Sequence, residues 1–328
     1  MSDLNNIEEI ANYIVANGKG ILAADESNPT CGKRFDSIGV ESNEENRRDY
    51  REMLFRSEGM KGNIGGVILF DETIRQKAED GTTLVNVIVD QGALPGIKVD
   101  QGLKPIGDSE ESLTQGLEGL DERLKEYYSL GAKFTKWRAV IKVGDSLPSE
   151  EAVTSNMNAL AEYAKLVQEN NMVPMVEPEV LMDGNHSIEK CAEVTAKTLK
   201  KVFSDLNDSN VYLPGIVLKP NMVLSGKDAT NRADAKQVAK YTVDILEETV
   251  PNEVPGIAFL SGGQEDQESI DNLNEINVFA KKNKSPWELT YSYGRGLQAA
   301  PLKIWEGKKE NVENAQNEFE KRGISASK

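Results

Sequence analysis

A single histidine, His186, is all that the 328 residues contain. A multi-histidine metal site is thereby excluded. Ser-His-Asp catalysis would have to run through His186, and no G-x-S-x-G elbow presents a serine to it. Two cysteines, Cys31 and Cys191, are too few for a disulfide framework in a chain this long. Cys191 falls on the apolar face of a helical pattern and reads as core. Cys31 falls in a loop, where a reactive role stays open. No apolar run approaches the roughly 20 residues of a membrane span. The N-terminus lacks the basic and apolar pattern of a signal peptide, so a cytoplasmic protein is expected. Cations are outnumbered, 38 Lys and Arg against 54 Asp and Glu, for a net charge of −16. That balance disfavours nucleic acid and anionic membranes as partners.

What the chain does have is a series of short apolar runs that end in polar residues. Gly20–Ala24 ends at Asp25-Glu26-Ser27, and Gly66–Phe70 at Asp71-Glu72. Gly96-Ile97 leads into Lys98-Val99-Asp100, and Phe134-Thr135 precedes Lys136-Trp137-Arg138. Met172–Val176 ends at Glu177-Pro178-Glu179, and Gly215–Leu218 at Lys219-Pro220-Asn221. Gly256–Leu260 ends at Ser261-Gly262-Gly263, and Leu289–Tyr291 at Ser292-Tyr293-Gly294-Arg295. These are eight candidate strands. Apolar residues at helical spacing fill several gaps, over 154–170, 187–206, 235–249 and 264–280. Alternating strands and helices imply a parallel sheet. Eight units fit a closed (β/α)8 TIM barrel, usually of roughly 250 residues, with catalytic groups at the C-terminal strand ends. A doubly wound open sheet is the alternative, but no Gly-rich dinucleotide fingerprint follows the first strand. An extra N-terminal helix over 7–18, a charged helix over 41–59 and a short C-terminal helix over 308–322 complete the reading. No linker or repeat divides the chain, so residues 1–328 read as one domain.

Lys219 is the most informative residue. A lysine at the end of a buried strand tends to lose its proton, becoming a nucleophile able to form a Schiff base. The plainer alternative is a lysine paired with a carboxylate or extended to solvent. Lys98, Lys136, Arg138, Lys219 and Arg295 all fall at strand ends on one barrel mouth. An acidic chain that gathers cations there is holding an anion, unless each merely pairs with Asp25, Asp71, Glu177 or Glu179. The glycines after the last two strands favour phosphate, because glycine admits close backbone approach. Phosphate sites in this fold are often built from those two loops.

At this point the chain resembles the class I fructose-1,6-bisphosphate aldolases. The motifs are Gly18–Ser27, Gly65–Phe70, Gly96–Asp100, Lys136-Trp137-Arg138, Val176–Glu179, Leu218–Met222, Phe259–Gln264 and Ser292–Arg295, and the likeness runs from about residue 7 to about 322. The resemblance implies reversible cleavage of fructose 1,6-bisphosphate to dihydroxyacetone phosphate and glyceraldehyde 3-phosphate, with no cofactor and no metal. It implies that Lys219 carries the imine and that Glu177 is the general acid/base. Asp25 would take the C4 hydroxyl proton, with Lys136 the second lysine and Glu179 close to it. Ser261, Gly262, Gly263, Ser292, Gly294 and Arg295 would hold the C1 phosphate. Arg34, Lys98 and Arg138 would face the C6 phosphate and the sugar hydroxyls, with Ser27 on that side. A homo-oligomer, commonly a tetramer in the family, is also implied.

The chemistry agrees with that assignment. Carbon–carbon cleavage needs an electron sink, and a protonated imine is one. A second lysine nearby would lower the proton affinity of Lys219 by repulsion. Two phosphates at opposite ends fix the substrate by remote binding energy. Two departures stand out. The sequence ends at Ser325-Ala326-Ser327-Lys328, without the terminal tyrosine that protonates the enamine in tailed relatives, so slow protonation, or protonation by another group, is expected. Asn28–Gly32 replaces the usual small, serine-containing stretch, though Thr30 keeps a hydroxyl. Sedoheptulose 1,7-bisphosphate is the alternative substrate, and a binding scaffold with secondary catalysis the alternative class.

Overall fold

In the computed structural model, which describes Leu4 and residues 6–327, all eight candidate runs are strands of one closed parallel barrel. The strands in chain order are β1 (Gly20–Ala24), β2 (Ile64–Leu69), β3 (Leu94–Lys98), β4 (Leu103–Pro105), β5 (Ser112–Thr114), β6 (Phe134–Ile141), β7 (Val173–Val180), β8 (Val217–Leu218), β9 (Gly256–Phe259) and β10 (Glu288–Tyr293). Around the barrel the order is β1-β10-β9-β8-β7-β6-β3-β2, closing on β1. β4 and β5 form a separate antiparallel hairpin after β3, which the apolar pattern did not signal.

The helices are α1 (Ile7–Ile14), α2 (Asn28–Asp36), α3 (Glu44–Phe55), α4 (Asp71–Arg75), α5 (Leu84–Asp90), α6 (Leu120–Ser129), α7 (Glu150–Glu169), α8 (Ile188–Asp208), α9 (Ala235–Thr249), α10 (Asp266–Asn283), α11 (Arg295–Trp305) and α12 (Val312–Ala326). Their starts follow local chemistry. Asn6, Asn43, Ser149, Ser187 and Asp234 each cap a helix by accepting a backbone N–H, and Asp234 with Gln237 makes a capping box.

Apolar side chains fill the barrel, among them Ile21, Ile68, Phe134, Met175 and Ala258. The α1 residues Ile10, Ala11 and Ile14 close its floor. Glycine makes both contacts possible. A Cβ on Gly96 would lie 2.3 Å from the Phe134 ring, and one on Gly65 2.3 Å from the Ile14 carbonyl oxygen.

Four expectations need correction. The segment after β1 is not a loop but α2, opened by Pro29 in its first turn. Cys31 therefore sits on a helix, 1% exposed, with burial pushing its thiol pKa up and leaving it inert. β6 and β7 run on to Ile141 and Val180, so Lys136, Arg138, Glu177 and Glu179 lie within strands rather than past their ends. The C-terminal helix has the expected length but lies four residues later: α12 spans 15 residues and starts at Val312, after a 3-10 turn over Lys309–Asn311. Of the last four residues, Lys328 lies outside the described residues. α11, directly after β10, was not read from the pattern because Pro301 interrupts it.

Candidate active site

Strand periodicity builds the centre. Side chains two apart on a strand share a face, so Lys136 and Arg138 of β6, and Glu177 and Glu179 of β7, turn inward together. The two strands pair with Arg138 opposite Glu177. Lys136 Nζ lies 2.9 Å from Asp25 Oδ2 at the end of β1, 3.3 Å from Glu177 Oε2 and 3.9 Å from Asp100 Oδ2. Lys219, one residue past β8, lies 3.2 Å from Glu177 Oε1. Glu177 therefore stands between the two lysines, one oxygen toward each. The side chains of Lys136, Glu177 and Lys219 are 5%, 4% and 5% exposed.

The ion pairs decide the protonation states. Burial pushes the Asp25 carboxyl up, but the charges of Lys136 and Lys219 and the hydrogen bond from Lys136 outweigh it, holding it well below the usual carboxylate range. Burial also pushes Glu177 up, and Lys136, Lys219 and Arg138 bring it below its ordinary value. Burial depresses Lys136, yet Asp25, Glu177 and Asp100 raise it well above an ordinary lysine. Lowered carboxyl pKa values stabilise the fold above the ordinary values of 3.8 and 4.5, and that contribution is lost as pH falls through the lower folded values. Thermal unfolding between about pH 3 and 7 should show an acid limb that Asp25→Asn flattens. An unchanged limb in the variant would remove Asp25 from this role.

Above this buried layer a cavity of about 850 Å³ opens, lined by Asp25, Ser27, Thr30, Arg34, Lys98, Lys136, Arg138 and Gly294. Lys98 lies 2.7 Å from Asp100 Oδ1, and Arg138 donates to Glu179. Ser27 and Thr30 share a hydroxyl–hydroxyl hydrogen bond of 3.1 Å. Arg34 pairs with Glu26. The Glu179 carboxylate also packs beside Gly262, where an added Cβ would meet its Oε1 at 2.6 Å.

Other expected residues stand apart from that cavity. Ser261, Gly262 and Gly263 form the turn after β9, with Gly263 at φ +78. Ser292 is buried in β10, its hydroxyl without a partner among the described residues. Arg295 does not line the cavity. Its Nη2 donates to the Gln264 carbonyl at 2.7 Å, and it lines a separate groove with Lys33, Arg34 and Gln298. The five cations therefore do not all open onto the same space. Tyr291 and Tyr293 are buried packing residues, their rings tilted against each other with centroids 5.2 Å apart.

Two acidic groups were passed over as site residues. Asp100 neutralises both Lys98 and Lys136; its place two residues after Lys98 was the signal. Glu26, beside Asp25, receives Arg34, Arg51 at 2.6 Å and Gln298 at 3.0 Å. Arg51 carried a weaker signal, an arginine on the buried face of α3.

Comparison with known proteins gives the family. The family model described as fructose-bisphosphate aldolase class-I matches residues 6–328. Over 321 residues the chain is 51% identical to cytosolic fructose-bisphosphate aldolase 4 of Arabidopsis thaliana, covering 97% of this chain and 81% of that one. It is 50% identical over 313 residues to the fructose-bisphosphate aldolase of Dictyostelium discoideum, covering 94% and 87%. Among solved structures, the fructose-bisphosphate aldolase of Plasmodium falciparum, crystallised with TRAP and a small-molecule inhibitor, superposes with a TM-score of 0.95 at 47% identity, covering 98% of this chain and 92% of that one. With the family matched across nearly the whole sequence, the chain belongs to the class I fructose-bisphosphate aldolases, and its reaction is the reversible cleavage of fructose 1,6-bisphosphate through a lysine Schiff base.

Proposed function

We propose that Lys219 is the lysine that forms the imine, with Glu177 as its proton partner and Asp25 as the base for cleavage. The observation that carries this is the position of Glu177, 3.2 Å from Lys219 Nζ and 3.3 Å from Lys136 Nζ. The Lys219 amine adds to the substrate ketone to give a carbinolamine. Glu177, a carboxylate at rest, takes a proton from the Lys219 nitrogen for that addition and returns it to the carbinolamine hydroxyl, which leaves as water as the imine forms. Asp25 takes the C4 hydroxyl proton, the C3–C4 bond breaks, and its electron pair passes to the protonated imine as an enamine. Lys136, held as an ammonium by its carboxylates, stabilises charge on Asp25 and the departing oxygen. Glu179 orients Arg138.

Borohydride with dihydroxyacetone phosphate tests the assignment. The reduced adduct should map to the peptide carrying Lys219, and EDTA should leave turnover unchanged. An adduct on Lys136 would reverse the roles of the two lysines.

Arg34, Lys98, Arg138 and Ser27 serve the C6 end of the substrate in this reading. Ser261, Gly262, Gly263, Ser292, Gly294 and Arg295 serve the C1 phosphate. Support for the second group comes from Gly294, which lines the cavity and opens α11, so the helix N-terminus faces it. Arg295 spans the two glycine loops through Gln264. Arg295→Ala should raise KM about 10-fold or more through loss of a charge-assisted phosphate contact. A KM equal to the parent would reduce Arg295 to a tie between loops. Sedoheptulose 1,7-bisphosphate is the alternative substrate, and comparing kcat/KM on the two bisphosphates separates the readings.

The reading extends to a single domain over residues 1–328, a cytoplasmic location like that named for the plant relative, and a homo-tetramer, measurable by light scattering. Among the described residues, no helix is long and apolar enough to cross a membrane.

A further inference from the structure

We propose that Asn221 is a positioning residue for the Schiff-base lysine, holding Lys219-Pro220 in register with β7 where the strand ladder gives out. The inference rests on the assignment of Lys219 above. β8 contributes only Val217 and Leu218 to the sheet, whereas β7 beside it continues to Val180. The Lys219 N–H still reaches the Val176 carbonyl at 2.8 Å. The next residue is Pro220, which has no N–H to donate. Past that point the buried backbone of β7 needs other partners.

The Asn221 side chain supplies one. Its Oδ1 accepts the Val180 N–H at 3.0 Å. Its Nδ2 donates to Thr195 Oγ1 of α8 at 3.1 Å and to the Met222 carbonyl at 3.0 Å. Asn221 is 5% exposed, so water is a poor substitute for these bonds. On the opposite side, the Leu260 N–H donates to the Pro220 carbonyl at 3.1 Å and ties the segment to the end of β9.

These bonds bear on the chemistry through Glu177, which lies on β7 three residues before Val180. Glu177 is fixed to β7 directly, and Lys219 is fixed to it through Val176 on one side and Asn221 on the other. The 3.2 Å contact between them therefore takes its geometry from one strand. Without the Asn221 amide, the chain after Lys219 is free to move off β7 and lengthen the path for proton transfer. Displacements near 1 Å cost about 100-fold in rate. Asn221 bonds to backbone and to Thr195, not to the reacting groups, so its effect is on position.

The test measures kcat, KM and the rate of borohydride-trapped imine formation with dihydroxyacetone phosphate. Three variants are compared with the parent: Asn221→Ala, Asn221→Asp and Thr195→Val. Asn221→Ala should slow imine formation and lower kcat by about 10- to 100-fold, with KM within about threefold. Asn221→Asp keeps an acceptor for the Val180 N–H and should recover part of kcat. Thr195→Val removes one of the two acceptors of Nδ2, leaves the Val180 bond in place, and should stay within about threefold of the parent. Parental imine rates in Asn221→Ala would overturn the proposal. An equal loss in Thr195→Val would also overturn it, because packing against α8 would then be the cause. If the alanine variant does not fold, Asn221→Ser, whose oxygen is one bond too short for Val180, is read by the same outcomes. A parental adduct on a lysine other than Lys219 would remove the Schiff-base assignment, and this proposal with it.

Discussion

Lys219→Ala is expected to lose cleavage activity by about 10⁵-fold or more, because the covalent route then has no nucleophile. The folded state should survive the change. Glu177 loses one partner but keeps Lys136 at 3.3 Å, so no carboxylate is left buried alone. The borohydride adduct should vanish with activity, while the circular dichroism spectrum matches the parent. Lys136 is held as an ammonium by Asp25, Glu177 and Asp100, and an ammonium has no lone pair to attack the ketone. It therefore should not take over. Residual activity above about 1% of parent, with an adduct still formed, would move the imine to another lysine.

Asp25→Asn should separate the two halves of the reaction. Cleavage should fall by about 10²- to 10⁴-fold, the range for loss of a general base. Imine formation with dihydroxyacetone phosphate should continue at close to the parental rate, because that step uses Glu177 and Lys219. The asparagine keeps the shape of Asp25 but cannot accept the C4 hydroxyl proton. Lys136 retains Glu177 and Asp100 at 3.3 and 3.9 Å. The stability cost should therefore stay below the ~3–5 kcal/mol of a buried pair broken outright. Single-turnover trapping set against steady-state cleavage measures both halves. Equal losses in the two would mean that Asp25 chiefly orders Lys136.

The amide of Asn221 and the carboxylates of Asp100 and Glu26 illustrate what a linear pattern hides. Each lies within two residues of one picked out for chemistry, yet each also has a partner distant in sequence, as Asp100 has in Lys136. Asn221 meets Val180 and Thr195. Glu26 meets Arg51 on α3 and Gln298 on α11. Strand lengths were hidden for a related reason. Charged residues end an apolar run, but Lys136 and Glu177 neutralise one another inside the barrel, so β6 and β7 continue through them.

The sequence by itself pointed to the eight strands, four long helices, the closed barrel and Lys219 as a candidate nucleophile, while the roles expected of Asp25, Lys136 and Glu177 came from the resemblance to the class I aldolases. The strands, helices and barrel follow from side-chain periodicity and the count of strand–helix units, and Lys219 from the cost of placing a lysine at the end of a buried strand. Only the tertiary structure decided which oxygen of Glu177 faces which lysine, that Arg295 opens onto a different groove from Lys98 and Arg138, and that Cys31 is buried on a helix. Ion-pair geometry inside a barrel is set by which strands become neighbours and how they twist, and no spacing along the chain encodes distances of 2.9 and 3.3 Å between residues more than a hundred and about forty positions apart.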